Sequence, residues 1–524
     1  MKRFEAFLRE AAARRPQHTA LVCGDERLDY AGFDAAVERC AAALVHEAQL
    51  ANGERCVVFA ENRIETCVSI FATLRAGGVF SVINPTTKAH KLAFVLGNCE
   101  ASVLITQLSL LPAALEAAAQ TPSLRRIVVM DATAASELGA LGLGWNGFLD
   151  STDTRLPEAP RGIDIDLAML VYTSGSTGNP KGVMMTHKNI LHAATSITTY
   201  LEASEDEVVL SVLPLAFDYG LYQLLMAVLK GYTLVLERSF AFPQKVLPLL
   251  ERERVTGFPL VPTIAAMLVQ MKSLKPEWVA PVRFLTNTAA ALPPAHIQKL
   301  QTLFPQARVF SMYGMTESKR CTWLPPAELA RRPDSVGIAI PGTEIWVADD
   351  HGQPLPPNTV GELVVRGGHV MQGYWRNEEA TSKALKPGRY PWEKVLHTGD
   401  LFRMDEEGFV YFVGRKDDII KSRGEKVAPK EVEAALYALP GVREAAVVGV
   451  PDEVLGRAIR AVVVLAEGVA LDARAIIAHC RSQLEDFMVP REVEFRDSLP
   501  KTNTGKIQRA RLQAEAEGRE FNED

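Results

Sequence analysis

The sequence predicts an α/β protein with a large N-terminal α/β domain built from several sheets and a small C-terminal α+β domain. Three observations carry this prediction. The 524 residues are too many for a single compact core. Strand-like and helix-like segments alternate through most of the chain, and from Gly361 onward short strands dominate. The composition, 48% hydrophobic and 23% charged, is typical of a globular protein that buries large cores.

The N-terminal part begins with an amphipathic helix, because Phe4, Phe7, Leu8 and Ala11 recur at helical spacing. After this helix, three successive segments predict a strand, a helix and the next strand. These are Arg55–Phe59, Ile64–Arg75 and Val79–Ile83, and further strand-like runs are Val103–Ile105, Arg126–Met130, Ala168–Tyr172 and Thr233–Leu236. Strands alternating with helices favour parallel pairing.

The last third of the chain predicts a small domain of its own. Its strands are Glu362–Arg366, Phe409–Val413, Glu444–Val450 and Arg460–Leu465, and its helices are Ala428–Leu439 and Ala473–Glu485. Turn residues and charges cluster at Arg415–Asp418. We therefore expect an N-terminal domain over residues 1–416 and a C-terminal domain over residues 417–524.

Charge and cysteine content narrow the functional classes. A net charge of −6 gives no support to a nucleic-acid partner. No uninterrupted apolar stretch approaches 18 residues, so no integral membrane segment is expected. The N-terminus lacks the apolar core of a secretory signal. The seven cysteines form no CxxC pair, which is typical of reduced thiols in a cytoplasmic protein.

The segment Tyr172–Gly182 (YTSGSTGNPKG) has the composition of an anion-binding loop. Its glycines allow the backbone to approach an anion closely, its hydroxyls donate hydrogen bonds, and Lys181 supplies a cation. The apolar run Ala168–Val171 precedes it, and a helix is expected to start near Thr186–Asn189, so we place the loop between a strand and a helix. Neither the dinucleotide GxGxxG pattern nor the Walker A pattern is present. A flexible surface loop is the alternative interpretation.

The loop resembles the phosphate-binding loop of the ANL superfamily of adenylate-forming enzymes. This superfamily comprises acyl-CoA synthetases, the adenylation domains of nonribosomal peptide synthetases, and luciferases. Five further segments occur in the family's order along the chain: Leu74–Pro85 (LRAGGVFSVINP), Tyr313–Glu317 (YGMTE), His397–Leu401 (HTGDL), Gly414–Asp418 (GRKDD) and Pro500–Ile507 (PKTNTGKI). The resemblance therefore covers most of the chain.

The resemblance implies an ATP site together with its Mg²⁺. The residues expected to contact ATP or AMP are Thr173, Ser174, Gly175, Ser176, Thr177, Gly178, Lys181, Tyr313, Asp400 and Arg415. Thr316 is implied to contact the α-phosphate and Glu317 to coordinate Mg²⁺, which prefers oxygen ligands. Asp400 suits two ribose hydroxyls because a carboxylate only accepts hydrogen bonds. Glu317 can also be interpreted as an acidic residue in the first turn of a helix, and this interpretation is compatible with its role as a metal ligand.

The C-terminal motifs imply a catalytic lysine and a domain rotation. Lys506 matches the lysine that bridges the substrate carboxylate and the α-phosphate in the first half-reaction. Asp417 matches the hinge about which the small domain rotates after adenylation. Gly424 is implied to line the tunnel for the incoming thiol. The alternatives are that Asp417 belongs to an ordinary charged turn and that Gly424 is a flexible glycine.

The acid substrate is expected near Leu213–Gly231, where apolar periodicity predicts a helix from about Leu221. Asp218 precedes that helix, and two interpretations stay open: it holds a substrate ammonium, or it caps the helix N-terminus. Arg320 could bind an acidic or polar group, or it could pair with Asp218. By alignment, the pocket residues are Asp218, Tyr219, Tyr222, Leu285, Asn287, Met312, Arg320 and Cys321.

Together these features predict an AMP-forming ligase that works in two steps. A small carboxylic acid and ATP give an acyl adenylate and pyrophosphate, and a thiol then takes the acyl group. Coenzyme A is one expected acceptor. The alternative is a stand-alone amino-acid adenylation enzyme that loads the phosphopantetheine of a separate carrier protein, because the chain ends about 20 residues after Lys506, too few for a carrier domain.

Two other classes of protein compete with this prediction. A nucleotide-binding regulator without catalysis predicts damage at Lys506, Glu317 or Asp400, and all three residues are present. A light-emitting oxidase of the same fold stays open, although no signature of oxygen chemistry is recognisable in the sequence.

Overall fold

The computed structural model describes residues 2–132, 142–150, 156, 162–173, 180–271, 274–288, 292, 294–422, 425–452, 456–484, 486–502, 507–519 and 521. These residues form two compact units. The first comprises the described residues of Met1–Ser174, Pro180–Glu344 and Val365–Leu396, and the second those of Ile345–Val364 and His397–Asp524. Across these residues, no helix is both long enough and apolar enough to cross a membrane.

The strands are short, and most are rich in apolar or β-branched residues. In chain order they are β1 (Thr19–Cys23), β2 (Glu26–Asp29), β3 (Arg55–Phe59), β4 (Val79–Ile83), β5 (Ala101–Thr106), β6 (Arg126–Val129), β7 (Gly142–Gly144), β8 (Leu167–Thr173), β9 (Lys181–Thr186), β10 (Val208–Ser211), β11 (Thr233–Leu236), β12 (Gly257–Leu260), β13 (Phe284–Asn287), β14 (Arg308–Tyr313), β15 (Thr322–Leu324), β16 (Ile338–Ala339), β17 (Thr343–Ala348), β18 (Val360–Gly367), β19 (Leu385–Pro387), β20 (Lys394–Met404), β21 (Val410–Arg415), β22 (Ile420–Ser422), β23 (Glu425–Val427), β24 (Val442–Asp452), β25 (Gly456–Leu465) and β26 (Glu492–Phe495).

The helices alternate with these strands over much of the chain. They are α1 (Ala6–Arg14), α2 (Tyr30–His46), α3 (Ile64–Arg75), α4 (Ala89–Asn98), α5 (Leu111–Ala118), α6 (Trp145–Leu149), α7 (His187–Tyr200), α8 (Asp218–Lys230), α9 (Pro243–Arg252), α10 (Pro262–Gln270), α11 (Pro276–Val279), α12 (Pro294–Leu303), α13 (Glu378–Ala384), α14 (Pro429–Ala438), α15 (Ala473–Gln483) and α16 (Arg509–Ala516).

Two large sheets organise the first unit. One has seven strands in the order β7-β6-β5-β3-β4-β8-β9, and the other has nine in the order β16-β15-β14-β13-β12-β10-β11-β1-β2. Strands in the middle of both sheets pair in parallel, whereas the pairs β8–β9, β14–β15, β15–β16 and β1–β2 are antiparallel. Parallel strands separated by helices are buried on both faces, which explains the continuous apolar runs of the sequence.

The burial of β3 and β4 illustrates this arrangement. Val57, Phe59, Val79 and Ile83 pack in one apolar cluster with residues of α4 and α5. Helix α1 buries Leu8 and Ala11, and Phe4 just before it is also buried, as the helical spacing predicts. The α/β class and the division into several sheets are therefore confirmed.

A third sheet has the strand order β17-β18-β20-β19, with β21 paired to β20. Strands β20 and β21 run antiparallel, and their register places Asp400 opposite Arg415. Short strands β22 and β23 form a separate antiparallel pair. Residues 423 and 424, which connect them, lie outside the described residues.

The C-terminal part of the second unit is built on the sheet β24-β25-β26. Along β24, Ala445 and Val447 belong to the cluster that includes α14 and α15, whereas Ala446 and Val448 pack with Leu512 of α16. This alternation follows from the two-residue period of a strand, and it covers both faces of the sheet. The result is a small α+β body, as predicted.

The division of the chain at residues 416 and 417 stays a prediction. All seven cysteines lie in the described part of the chain, and none is joined to another. Six are buried and Cys23 is half-buried, which fits their interpretation as reduced core thiols.

Candidate active site

The phosphate loop lies between two antiparallel strands. Strand β8 ends at Thr173 and β9 begins at Lys181, and the register pairs these two residues. The helix expected near Thr186–Asn189 is confirmed, since α7 starts at His187 with Thr186 as its N-cap, but the strand β9 between the loop and that helix was not predicted. Ser174, Gly175, Ser176, Thr177 and Gly178 lie outside the described residues.

The base of this hairpin is held by contacts to neighbouring elements. The Tyr172 hydroxyl donates to the Asn98 side-chain oxygen at 2.5 Å, and the Trp375 backbone N–H donates to the Gly182 carbonyl at 2.7 Å. A side chain at Gly182 would be crowded, because a Cβ there would lie 3.1 Å from the Tyr172 ring. These contacts fix the positions of both ends of the loop.

Glu317 lies in a turn after β14. The segment Thr316–Ser318 is a turn rather than a helix, so the interpretation of Glu317 as a residue of a helical first turn is wrong. The Met371 backbone N–H donates to the Glu317 carbonyl at 2.8 Å, and the Tyr374 hydroxyl donates to Glu317 Oε1 at 2.7 Å. The backbone and the carboxylate are thus both held by the segment that follows β18.

Tyr374 also contacts the phosphate-loop lysine. The Lys181 ammonium lies 5.4 Å from the centre of the Tyr374 ring, within the range of a cation–π interaction. One tyrosine therefore contacts the expected phosphate-binding cation through its ring and the expected metal ligand through its hydroxyl. Because an ionised carboxylate is a preferred Mg²⁺ ligand, Glu317 fits the metal that the resemblance implies.

Within the described residues, no cluster of three or more His, Cys, Asp or Glu side chains could hold a metal by itself.

Asp400 is buried on β20 and pairs with Arg415 across the strands. The Arg415 Nε lies 3.0 Å from Asp400 Oδ1. The carboxylate is only 9% exposed, whereas the arginine side chain is 61% exposed. The structure therefore brings together the two residues that the motifs HTGDL and GRKDD predict for the ribose.

Glu362 supports the turn that carries Asp400. Its carboxylate accepts the Gly399 backbone N–H at 2.9 Å and lies 3.4 Å from both His397 Nδ1 and Lys416 Nζ. Burial raises the pKa of this carboxyl, but the His397, Gly399 and Lys416 partners more than offset the effect and lower the pKa to about 2. Glu362 is therefore a charged, fixed acceptor for the turn next to Asp400.

Asp218 is the first residue of α8, and its carboxylate does not cap that helix. Phe217 is the N-cap and makes no side-chain capping bond, so the capping interpretation is wrong. Asp218 Oδ2 lies 3.2 Å from the ammonium of Lys319. The helix starts at Asp218 rather than near Leu221. Within its first turn, Gly220 packs its backbone against the Pro214 carbonyl, where a Cβ would lie at 2.3 Å.

Lys319 is buried beside two tyrosines. Its ammonium lies 4.5 Å from the centre of the Tyr222 ring and 5.7 Å from that of Tyr219. Burial lowers the pKa of this lysine to about 7, although the Asp218 carboxylate acts in the opposite direction. Lys319 has a φ of +60°, a backbone conformation that is uncommon outside glycine.

The remaining predicted pocket residues are buried around the carboxyl ends of β13 and β14. Arg320 lies over the Tyr219 ring at 5.0 Å, and the Tyr219 hydroxyl donates to the Thr286 carbonyl at 2.9 Å. Met312 Sδ accepts a hydrogen bond from Tyr200, and Cys321 Sγ lies 3.0 Å from the Ser318 hydroxyl. Leu285 and Asn287 are buried in β13.

Several predicted residues have no described geometry. Lys506 and Gly424 lie outside the described residues, and of Asp417 only the backbone, in a short 3₁₀ turn over Lys416–Asp418, is described. Their roles stay predictions.

Sequence reasoning missed Lys319, Tyr374 and Glu362. Lys319 follows YGMTE by two residues, and a charged side chain at that place is typical of a solvated turn. Tyr374 and Glu362 lie outside the motifs used for prediction. A weak signal was present for Tyr374, because it follows a glycine, Gly373, and glycine often marks a special backbone conformation. The structure gives Gly373 a φ of +135°.

Comparison with protein families identifies both parts of the chain. Residues 8–375 match the model for "AMP-binding enzyme", and residues 431–506 match that for "AMP-binding enzyme C-terminal domain". Together these matches include the phosphate loop and Lys506.

Three curated relatives align over nearly the full chain. A feruloyl-CoA synthase of an Amycolatopsis species is 35% identical, and the alignment covers 95% of each chain. A long-chain-fatty-acid–CoA ligase of Bacillus subtilis is 31% identical over 98% of this chain and 94% of the relative. An oxalate–CoA ligase of Arabidopsis thaliana is 31% identical over 96% of each. All three are CoA ligases, so the carrier-protein alternative is not favoured.

Two solved structures share the fold. MatB from Rhodopseudomonas palustris, bound to ATP, has a TM-score of 0.86 at 28% identity, and the match covers 98% of this chain and 99% of that chain. O-succinylbenzoate coenzyme A synthetase (MenE) from Bacillus subtilis, in complex with ATP and a magnesium ion, has a TM-score of 0.84 at 28% identity. This match covers 97% of this chain and 98% of that chain.

The fold, the motif order and these matches agree, and the superfamily inferred from the sequence is confirmed. The chain belongs to the AMP-binding enzyme family, and it is an AMP-forming ligase of the acyl-CoA synthetase type that uses ATP and Mg²⁺, with coenzyme A as the acceptor that fits its relatives.

Proposed function

We propose that this ligase activates a small carboxylic acid, and that Glu317 and Lys181, joined through Tyr374, hold the Mg²⁺ and phosphate end of ATP. The observation that carries the proposal is the pair of contacts on Tyr374: its hydroxyl on Glu317 Oε1 at 2.7 Å and its ring 5.4 Å from the Lys181 ammonium. A fixed cation and a fixed anion beside one tyrosine suit ATP with its Mg²⁺, because the cation can contact a phosphate and the anion can contact the metal.

The first half-reaction develops negative charge on the phosphates as pyrophosphate departs. Lys181 and the donors of the loop, expected at Thr173, Ser174, Gly175, Ser176, Thr177 and Gly178, stabilise that charge electrostatically. Mg²⁺, when bound, neutralises phosphate charge, and Thr316 donates to the α-phosphate oxygen. The role of Tyr374 is positional: it limits the rotation of the Glu317 carboxylate.

The nucleoside end is assigned to Asp400 and Arg415, with Tyr313 against the adenine. Asp400 accepts hydrogen bonds from the ribose hydroxyls, and its buried carboxylate is kept in place because Glu362 holds the Gly399 N–H beside it. Arg415 is already 3.0 Å from Asp400 and contributes a second contact to the ribose or phosphate.

Lys506 is assigned the chemical step. Its ammonium bridges the attacking carboxylate oxygen and the α-phosphate, which favours in-line attack and offsets the charge that forms. Asp417 is assigned the hinge for the second half-reaction, and Gly424 the passage for the thiol.

The relatives do not identify the carboxylic acid that this enzyme activates. Their substrates by name include a feruloyl group, a long-chain fatty acid and oxalate, which differ widely in length and charge. The identity of the acid therefore depends on this chain's own side chains, above all on the predicted pocket residues Asp218 and Arg320.

The assignment is tested by acid- and CoA-dependent conversion of ATP to AMP and pyrophosphate. Glu317→Gln should lower kcat/KM for MgATP by on the order of 100-fold, because the Mg²⁺ that neutralises the reacting phosphates loses a charged ligand. Tyr374→Phe should lower it by about 10- to 100-fold and raise the Mg²⁺ concentration needed for half-maximal rate. A purely structural tyrosine would leave the Mg²⁺ requirement unchanged.

Matched variants control for the substitutions. Glu277→Gln changes an exposed glutamate on α11, and Tyr390→Phe changes a partly exposed tyrosine before β20. Both should retain wild-type rates. Retention of activity within about threefold in Glu317→Gln would contradict the assignment of the metal ligand.

A further inference from the structure

A cluster of buried charges in the first unit lies outside the residues assigned to the nucleotide. Three side chains form it: Asp218, Lys319 and Arg320, which we call the buried charge cluster. The side chain of Lys319 is only 2% exposed and that of Asp218 only 11%, while Arg320 as a residue is 2% exposed. Charges so far from water are costly unless each has a partner.

Lys319 has its partner within the protein. Its ammonium lies 3.2 Å from Asp218 and faces the rings of Tyr219 and Tyr222. The pair satisfies the only carboxylate of the cluster. An amino-acid substrate would bring a second ammonium to a carboxylate that is already neutralised, next to two cations that repel it.

Arg320 lacks an anionic partner. Among the residues that the structure describes, no carboxylate lies within 4.0 Å of its guanidinium. The guanidinium packs 5.0 Å over the Tyr219 ring, but its Nε is fully buried and bonds to no described group. The hydroxyl of Tyr222 is likewise buried and without a described partner. Buried donors of this kind rarely stay unpaired in a native protein.

The aromatic groups around Arg320 do not compensate its charge. Burial raises the pKa of Tyr200 to about 12, and it raises the pKa values of Tyr219 and Tyr222 further, so all three phenols stay neutral near pH 7. A cation–π contact offsets only part of the desolvation of a guanidinium. The cluster is therefore built to receive one more anion.

We propose that Arg320 is a specificity-determining residue that binds a second anionic group of the acid substrate, a carboxylate or sulfonate away from the reacting carboxylate. The inference rests on the proposed function, since it places the acid beside the YGMTE segment. A guanidinium and a phenol hydroxyl supply the donors that such an oxygen-rich group needs, and the Tyr219 ring packs against the guanidinium. The Lys319–Asp218 pair fixes the neighbouring wall.

The position of Arg320 follows from the fold. Gly314 of YGMTE lies against the Lys319 carbonyl and the Arg320 Cα, where a Cβ would come within 2.2 Å and 2.9 Å. The segment that carries the expected α-phosphate contact thus folds back onto the residue that carries the cation. The backbone of Arg320 therefore lies next to the turn that carries the expected α-phosphate contact.

The test compares length-matched acids in the AMP-release assay. The pairs are succinate with butyrate, glutarate with pentanoate, and 3-sulfopropanoate with butyrate. The wild-type enzyme should prefer the doubly charged member by on the order of 100-fold in kcat/KM. In Arg320→Met this ratio should collapse, mostly through KM, while KM for MgATP stays unchanged. Arg320→Lys should retain part of the preference for the doubly charged acid. Arg331→Met, which changes a surface arginine, should retain all of it.

Because the readout is a ratio within one variant, partial loss of folded protein does not alter it. Equal use of both members of the pairs by the wild type would overturn the inference and leave the proposed function standing. Absence of CoA-dependent AMP release with every acid would instead count against the proposed function. If turnover is absent, thermal stabilisation by glutarate decides: equal stabilisation of wild type and Arg320→Met overturns the inference, and loss in the variant supports it.

Discussion

Glu362 shows how a single side chain can support a proposed nucleotide-binding residue, Asp400, from the neighbouring turn. It accepts the Gly399 N–H and is paired with His397 and Lys416, and these contacts depress its pKa to about 2. A carboxyl whose pKa is lower in the folded than in the unfolded state stabilises the fold above the unfolded value, near 4.5. That contribution is lost as the pH falls from about 4.5 towards about 2.

Glu362→Gln should therefore destabilise the protein at neutral pH and much less in acid. We expect a loss of about 2 kcal/mol near pH 7, a figure reduced for screening by solvent, and under about 1 kcal/mol near pH 3. Urea denaturation of wild type and variant at the two pH values measures it. Glu406→Gln, at an exposed turn, should show neither effect. A penalty that is equal at both pH values would mean that charge is not what Glu362 contributes.

Among single residues, those that belong to motifs can be predicted from the sequence, whereas the residues that support them cannot. Asp400 and Arg415 come from two motifs and do pair, and Glu317 of YGMTE lies in the turn after β14. Lys319 and Tyr374 act through contacts with residues far along the chain, Asp218 and Lys181 respectively. Such contacts leave no local pattern, because they depend on which strands become neighbours.

Among the elements, the hairpin β8–β9 explains the main error of prediction. The run Lys181–Thr186 is short and leads directly into the capping box of α7, so its local pattern does not separate it from the helix that follows. Its strand character comes from pairing with β8 and from the Gly373–Trp375 segment alongside. Tertiary pairing of this kind overrides local preference in short segments. The strongly patterned elements α3, β3 and β4 were predicted with correct ends.

The turn that ends β14 depends on Gly314. A Cβ at this position would lie 2.2 Å from the Lys319 carbonyl oxygen, and backbone atoms cannot move aside as a flexible side chain can. Gly314→Ala should therefore displace the Lys319–Arg320 segment and cost about 1–3 kcal/mol in unfolding free energy. We expect kcat/KM to fall by on the order of 100-fold, because the groups that hold the substrates move relative to one another.

Gly97→Ala is the matched control for that prediction. Gly97 lies in α4, and no atom lies within 4 Å of the place that a Cβ would take, so alanine there should be neutral or slightly stabilising. Thermal unfolding and steady-state kinetics of both variants are the measurements. Wild-type kinetics in Gly314→Ala would show that the close approach at this turn does not matter for function.

For the molecule as a whole, composition and segment alternation were enough to predict the class and the small C-terminal body. They were not enough to predict the strand order. The N-terminal strand β1 lies between β11 and β2 in the nine-stranded sheet, so residues far apart in the chain are neighbours, such as Leu21 and Leu234. The apolar pattern of a buried strand identifies its burial but not its partner, because every central strand carries the same pattern.

The two half-reactions give the last prediction, which concerns the chain as a two-step enzyme. If Lys506 acts only in adenylation, Lys506→Ala should lower acid-dependent ATP–pyrophosphate exchange by on the order of 100-fold or more, because charge stabilisation at the α-phosphate is lost. The same variant should convert supplied acyl adenylate and coenzyme A to thioester at nearly the wild-type rate, since that step makes no use of the lysine. Lys299→Ala, on the surface of α12, should leave both rates unchanged. A parallel fall of both half-reactions in Lys506→Ala would place the lysine in a role common to the two steps, and the separation of chemistry between two arrangements of the chain would have to be abandoned.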